Sequence, residues 1–112
     1  MSWVDVCDAT SLPKGTGIAA WVEGSAVAIF DLGEDGLFAL DNIDPATGVS
    51  LLARGLVCDM DGKLCVASPL YKHHYQLSSG VCLEDDALVA KPYQIKNQNG
   101  KILIKANAQG DV

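Results

Sequence analysis

An all-β fold of antiparallel strands is predicted, and three observations predict it. Short apolar or alternating runs recur along almost the whole chain, turns containing glycine and asparagine separate them, and no long amphipathic helix interrupts the pattern. With 112 residues, 49% of them hydrophobic and 20% charged, the chain has the size and balance of one globular core. A single domain is expected over residues 1–107, followed by a short tail over 108–112 where periodicity stops.

Trp3-Val4-Asp5-Val6-Cys7 alternates and reads as a first strand. Gly17 to Val22, the turn signal Gly24-Ser25, and Ala26 to Phe30 read as a hairpin. Asp35-Gly36 turns into Leu37-Phe38-Ala39-Leu40-Asp41, an apolar run suited to a buried sheet that delivers a loop at its end. Alternation is lost from Pro45 to Arg54, where Val49 to Arg54 has room for at most a helical turn before Gly55. Asp61-Gly62 is a strong two-residue hairpin turn that sets Met60 against Lys63, Asp59 against Leu64 and Cys58 against Cys65. That hairpin ends at Ser68, where a second loop begins. His74 to Leu77 and Val81 to Leu83 read as short strands around Ser78-Ser79-Gly80. Asn99-Gly100 then folds Tyr93-Gln94-Ile95-Lys96 onto Leu103-Ile104-Lys105-Ala106, with Ile95 opposite Ile104 and Lys96 opposite Leu103.

Composition excludes several function classes. A net charge of −6 argues against gripping a phosphate backbone, so nucleic acid is not an expected partner. No apolar run approaches the roughly 20 residues that span a bilayer, and Met1-Ser2-Trp3-Val4-Asp5 lacks the features of a secretory signal, so a cytoplasmic protein without membrane attachment is expected. Cys7, Cys58, Cys65 and Cys82 contain no Cys-x-x-Cys pair. Cys58 and Cys65 face each other across the predicted hairpin, and reduced, core-packed thiols are favoured over a disulfide.

Residues that carry chemistry elsewhere lack the right company here. His73 and His74 are adjacent on a predicted strand and therefore point to opposite faces, away from a shared metal. Asp44 and Ser68 suit loop hydrogen bonding, since no base or oxyanion stabiliser is recognisable beside Ser68. Gly15-Thr16-Gly17 precedes a strand rather than the helix a phosphate loop needs, and Glu84-Asp85-Asp86 reads as a solvated turn. No catalytic, cofactor-binding or metal-binding residue is expected in this chain.

Two loops, Asn42-Ile43-Asp44-Pro45-Ala46 and Ala67-Ser68-Pro69-Leu70-Tyr71, resemble the cluster loops of a Rieske domain in placement and in their prolines. Asp44, Ala46, Ser68 and Tyr71 occupy the positions that match Cys-x-His and Cys-x-x-His, and they supply neither the two thiolates nor the two imidazoles of that centre. Together with Leu52-Ala53-Arg54-Gly55-Leu56, Val66-Ala67-Ser68-Pro69-Leu70 and Gly80-Val81-Cys82-Leu83-Glu84-Asp85, the first loop resembles the small subunit of bacterial assimilatory NAD(P)H-dependent nitrite reductase across nearly the whole chain.

The resemblance implies a Rieske-like antiparallel β-sandwich with two tip loops. It also implies a noncatalytic subunit that supports a large cytoplasmic one, which carries FAD, siroheme and an iron–sulfur cluster and reduces nitrite to ammonium in nitrate and nitrite assimilation. Leu51, Leu52, Leu70 and Tyr71, at the rim of the loops, are the expected apolar contacts with that large subunit. The alternatives are a Rieske ferredoxin-like electron-transfer protein with an unusual cluster and a free-standing protein-binding module.

Overall fold

The computed structural model describes residues 3–105. Ten strands follow in chain order: β1 Trp3–Asp8, β2 Gly17–Val22, β3 Ser25–Asp31, β4 Leu37–Asp41, β5 Leu56–Met60, β6 Lys63–Ala67, β7 His74–Gln76, β8 Pro92–Tyr93, β9 Ile95–Gln98 and β10 Lys101–Lys105. They form three antiparallel sheets, ordered β1-β10-β9, β2-β3-β4-β8 and β5-β6-β7. No α-helix occurs among the described residues, and the remaining helical structure is three short 3₁₀ turns. The all-β antiparallel architecture expected from the sequence is the architecture found.

The four-stranded sheet is the middle layer. On β3, Ala28 and Phe30 face one core cluster with Leu40, Leu52, Val66 and Tyr75, while Val27 and Ile29 face a second with Ala39, Ile102 and Ile104. A strand buried on both faces cannot alternate, which explains the unbroken run Ala26-Val27-Ala28-Ile29-Phe30. The outer sheets each cover one of its faces, so β6 and β10 mix buried with half-exposed positions.

Both predicted hairpin registers are present: Cys58 pairs with Cys65, Asp59 with Leu64 and Met60 with Lys63, and Ile95 pairs with Ile104 and Lys96 with Leu103. Three expectations need correction. The first hairpin turns at Glu23-Gly24, with Val22 opposite Ser25. The strand expected over 93–96 is broken at Gln94: Tyr93 pairs with Ala39 on β4, the Gln94 carbonyl accepts from the Lys105 N–H at 3.0 Å, and Ile95 has crossed to β10. Val81 to Leu83 forms no strand because its backbone bonds are divided among partners, with Cys82 N–H donating to Leu88 and Leu83 N–H to His74. The tail expected over 108–112 lies outside the described residues.

The four cysteines are free thiols, Cys65 and Cys82 buried, Cys7 and Cys58 half-buried. Burial first, then the neighbouring Cys58 and Glu84, pushes the Cys65 thiol up to about 11. It is protonated at neutral pH, as suits an unreactive packing residue.

Candidate functional site: the paired loops

The first loop leaves the end of β4 and is organised by Asn42. The Asn42 Oδ1 accepts from the Ala53 N–H at 2.7 Å, its Nδ2 donates to Ser50 Oγ at 2.9 Å, and its carbonyl accepts from the N–H groups of Leu51 and Leu52. Inside that frame the Asp44 carbonyl accepts from Thr47 and Gly48, while the Asp44 N–H donates to Val49. Leu52 then inserts fully into the core, and Gly55 lies so close to β6 that a Cβ there would sit 2.4 Å from the Ala67 carbonyl oxygen. The first loop is therefore fixed against the strand from which the second loop departs.

Asp44 joins the loops. Its carboxylate has no solvent exposure and, among the described residues, no ion-pair partner. Instead it accepts three hydrogen bonds: from Ser68 Oγ at 2.5 Å, from the Tyr75 hydroxyl at 2.6 Å, and from the Ala46 N–H at 2.9 Å. Burial, reinforced by the Asp44 carboxylate, drives the Tyr75 phenol far above its ordinary range, so Tyr75 stays a donor. Bonds from neutral donors to a buried carboxylate are each worth roughly 1.5–3 kcal/mol, and they offset the cost of holding the charge away from water.

At the four positions that resemble Rieske ligand positions, the side chains do not fit a [2Fe–2S] cluster. The Asp44 carboxylate and the Ser68 hydroxyl are bonded to each other, Ala46 has only a methyl group, and Tyr71 is 77% exposed. Among the described residues no group of three or more His, Cys, Asp or Glu side chains is arranged to hold a metal ion.

The second loop is strained. Tyr71 and Lys72 have φ of 61° and 56°, two successive non-glycine residues in the left-handed region. The Ser68 N–H donates to the His73 carbonyl and closes the loop, leaving Leu70 and Tyr71 on its outside. Of the four residues expected as contacts, Leu70 and Tyr71 are exposed and Leu51 is half-buried. Leu52 corrects the expectation: it is completely buried between β3 and β6, where no partner reaches it.

Sequence reasoning missed other members of this end of the molecule. Trp21, 74% exposed, and Ile43 line a hollow of about 340 Å³ with Ser25, Asp41 and Ser50. An aromatic residue opposite Ala26 next to a tight turn was the available signal. Tyr75 was recognisable only as an apolar strand residue, since nothing local to it points to Asp44, 31 positions earlier. His74 acts as an anchor: its backbone N–H and ring Nδ1 meet the two Glu84 carboxylate oxygens at 2.8 and 2.6 Å. Burial acts to raise Glu84, but the two His74 contacts and the Cys82 thiol outweigh it and bring the carboxyl down to about 2.

Comparison with known proteins places this geometry. Residues 2–105 match the family model of the Rieske-like [2Fe-2S] domain. The chain is 38% identical to the nitrite reductase (NADH) small subunit of Salmonella typhimurium over 104 residues, covering 92% of this chain and 96% of that protein. The solution structure of the nitrite reductase [NAD(P)H] small subunit from Erwinia carotovora superposes with a TM-score of 0.80 at 38% identity, covering 97% of this chain and 86% of that one. The nitrite reductase [NAD(P)H] large subunit of Klebsiella oxytoca matches 91% of this chain at 33% identity, within only 11% of its own length.

Proposed function

We infer the function from a plain premise: the chain belongs to the Rieske-like [2Fe-2S] domain family and, within it, to the small subunits of NAD(P)H nitrite reductase. Its partner is the large subunit of that enzyme. In Klebsiella oxytoca a stretch similar to this chain is part of the large polypeptide itself.

Within that assignment the chain acts as a noncatalytic docking subunit. Nitrite reduction to ammonium belongs to the large subunit, with its FAD, siroheme and iron–sulfur cluster, in the cytoplasm. The observation that carries this reading is the Asp44 carboxylate, which ties the two loops through Ser68 and Tyr75 where a Rieske protein would place its thiolates. The loops retain their paired shape and present Leu70 and Tyr71 outward, while their inward groups are occupied with one another. Exposed aromatic and aliphatic residues on a rigid support are the usual anchors of a protein interface. Leu70 and Tyr71 are the proposed contacts, with Leu51 at the margin.

Mixing the purified large subunit with this chain tests the reading. The two are expected to co-elute as one complex whose flavin, siroheme and iron all belong to the large subunit. A freshly purified, anaerobic small chain with stoichiometric iron and Rieske-like absorption would overturn it in favour of electron transfer.

A further inference from the structure

A second face of the molecule, separate from the paired loops, combines an apolar cleft with unneutralised positive charge. The cleft, of about 360 Å³, lies where β1, β4, β8 and β9 meet and is lined by Trp3, Phe38, Leu77, Tyr93 and Ile95. Trp3 stands directly opposite Lys105 across β1 and β10, and Lys96 stands opposite Leu103 on β9, so both lysines share the outer side of the sheet with Trp3. Their ammonium groups lie 4.2 Å (Lys96) and 5.8 Å (Lys105) from the Trp3 ring centroid, and Lys91 lies 5.2 Å from that of Tyr93.

Among the described residues, none of these three lysines has an ion-pair partner, whereas Lys14 and Lys101 are matched to Asp31 and Asp8. Of the nearby acids, Asp41 accepts from the Tyr93 hydroxyl at 2.7 Å, and Asp5, on the same outer side of the sheet opposite Leu103, forms no ion pair with any of the three lysines among the described residues. A chain of net charge −6 thus gathers three ammonium groups, unpaired among the described residues, over two aromatic rings that line one cleft. The rings preset the lysine side chains, which lowers the ordering cost of binding an anion there.

We propose that this cleft is a second contact with the large subunit, receiving an acidic segment whose carboxylates meet Lys91, Lys96 and Lys105 while an apolar side chain enters beside Trp3. The proposal rests on the large subunit being the partner. Charge complementarity selects an acidic occupant, and connectivity selects this one. β1 and β10 are neighbouring strands with Trp3 beside Lys105, so both ends of the domain emerge at this face. In the Klebsiella oxytoca protein, where a similar domain is part of the large polypeptide, the rest of that chain must leave from here whichever end joins it.

The test measures affinity for the purified nitrite reductase large subunit at low and at physiological ionic strength. It compares the unmodified chain with Lys96→Glu, Lys105→Glu and, as an equal charge change on a remote hairpin, Lys63→Glu. Lys96→Glu and Lys105→Glu are expected to weaken binding about tenfold at low salt and to flatten its salt dependence, with unchanged denaturation midpoints, while Lys63→Glu has a much smaller effect. Reversals at 96 and 105 that weaken binding no more than the one at 63 would overturn the second contact and leave the partner intact. Failure of the unmodified chain to bind would overturn the partner and, with it, this contact.

Discussion

Among the described residues, four turns set two successive residues at positive φ, and they divide three to one. Glu23-Gly24, Asp61-Gly62 and Asn99-Gly100 join hairpin strands and place glycine at the second position, where no Cβ resists the left-handed backbone. Tyr71-Lys72 has no glycine and lies in the longer loop between the paired strands β6 and β7, where it tops the second loop. The hairpins follow local chemistry, and the loop departs from it. A departure costing roughly 1–2 kcal/mol per residue persists only where surrounding structure imposes it, and here the imposed geometry displays Tyr71. The difference separates the part of the chain that builds the fold from the part proposed to meet a partner.

The comparison breaks most visibly if the support under the loop is removed. Asp44→Ala leaves the hydroxyls of Ser68 and Tyr75 buried without their acceptor, and chemical denaturation should register a loss of about 3 kcal/mol or more. Tyr71→Ala should do the reverse: stability stays within about 0.5 kcal/mol, while affinity for the large subunit falls by about 2 kcal/mol, the loss expected of an interface anchor. The sharpest contrast is between Lys72→Gly and Gly62→Ala. The first relieves left-handed strain and should raise stability by about 0.5–1 kcal/mol while weakening binding, because the Tyr71 presentation is no longer imposed. The second installs the same strain in an ordinary hairpin and should cost about 1 kcal/mol with binding unaffected.

The smallest effect concerns acid. Glu84, which secures the start of β7 behind the second loop, has its carboxyl lowered from 4.5 to about 2. A carboxyl depressed in the folded state contributes stability that is full above its unfolded value and is lost as pH falls through its folded value. Glu84→Gln should therefore remove a small stabilisation that is full above about pH 4.5 and shrinks steadily as pH falls towards 2, measured as the denaturation midpoint across that window.

The sequence made the local part of this structure readable. Turn chemistry at Asp61-Gly62 and Asn99-Gly100 set both registers, because a two-residue turn leaves one pairing, and the burial of Ala39 and Leu40 on β4 was visible in the apolar run Leu37 to Leu40. Long-range placement was not readable. Leu52 and Leu51 are neighbours in an aperiodic stretch, and only the Asn42 side chain, which draws the following turn inward, decides that Leu52 is core. The crossing at Gln94 depends on competition between β4 and β10 for one strand, and the Asp44, Ser68 and Tyr75 contact joins three elements far apart in sequence. The candidate loops were found because ligand positions leave a pattern even when the ligands differ. Trp21 offers only its place beside a tight turn and Ile43 offers nothing, since single exposed apolar residues are common in any sequence.

Amide hydrogen exchange of the small chain, free and bound to the purified large subunit, addresses the division between scaffold and docking loops without altering a residue. Exchange should slow on binding across residues 69–73 of the second loop and around Ile43 and Leu51 of the first, with little change at the Asp61-Gly62 hairpin. Protection confined to that hairpin, with residues 69–73 exchanging as freely as in the unbound chain, would contradict the assignment of the paired loops as the docking surface.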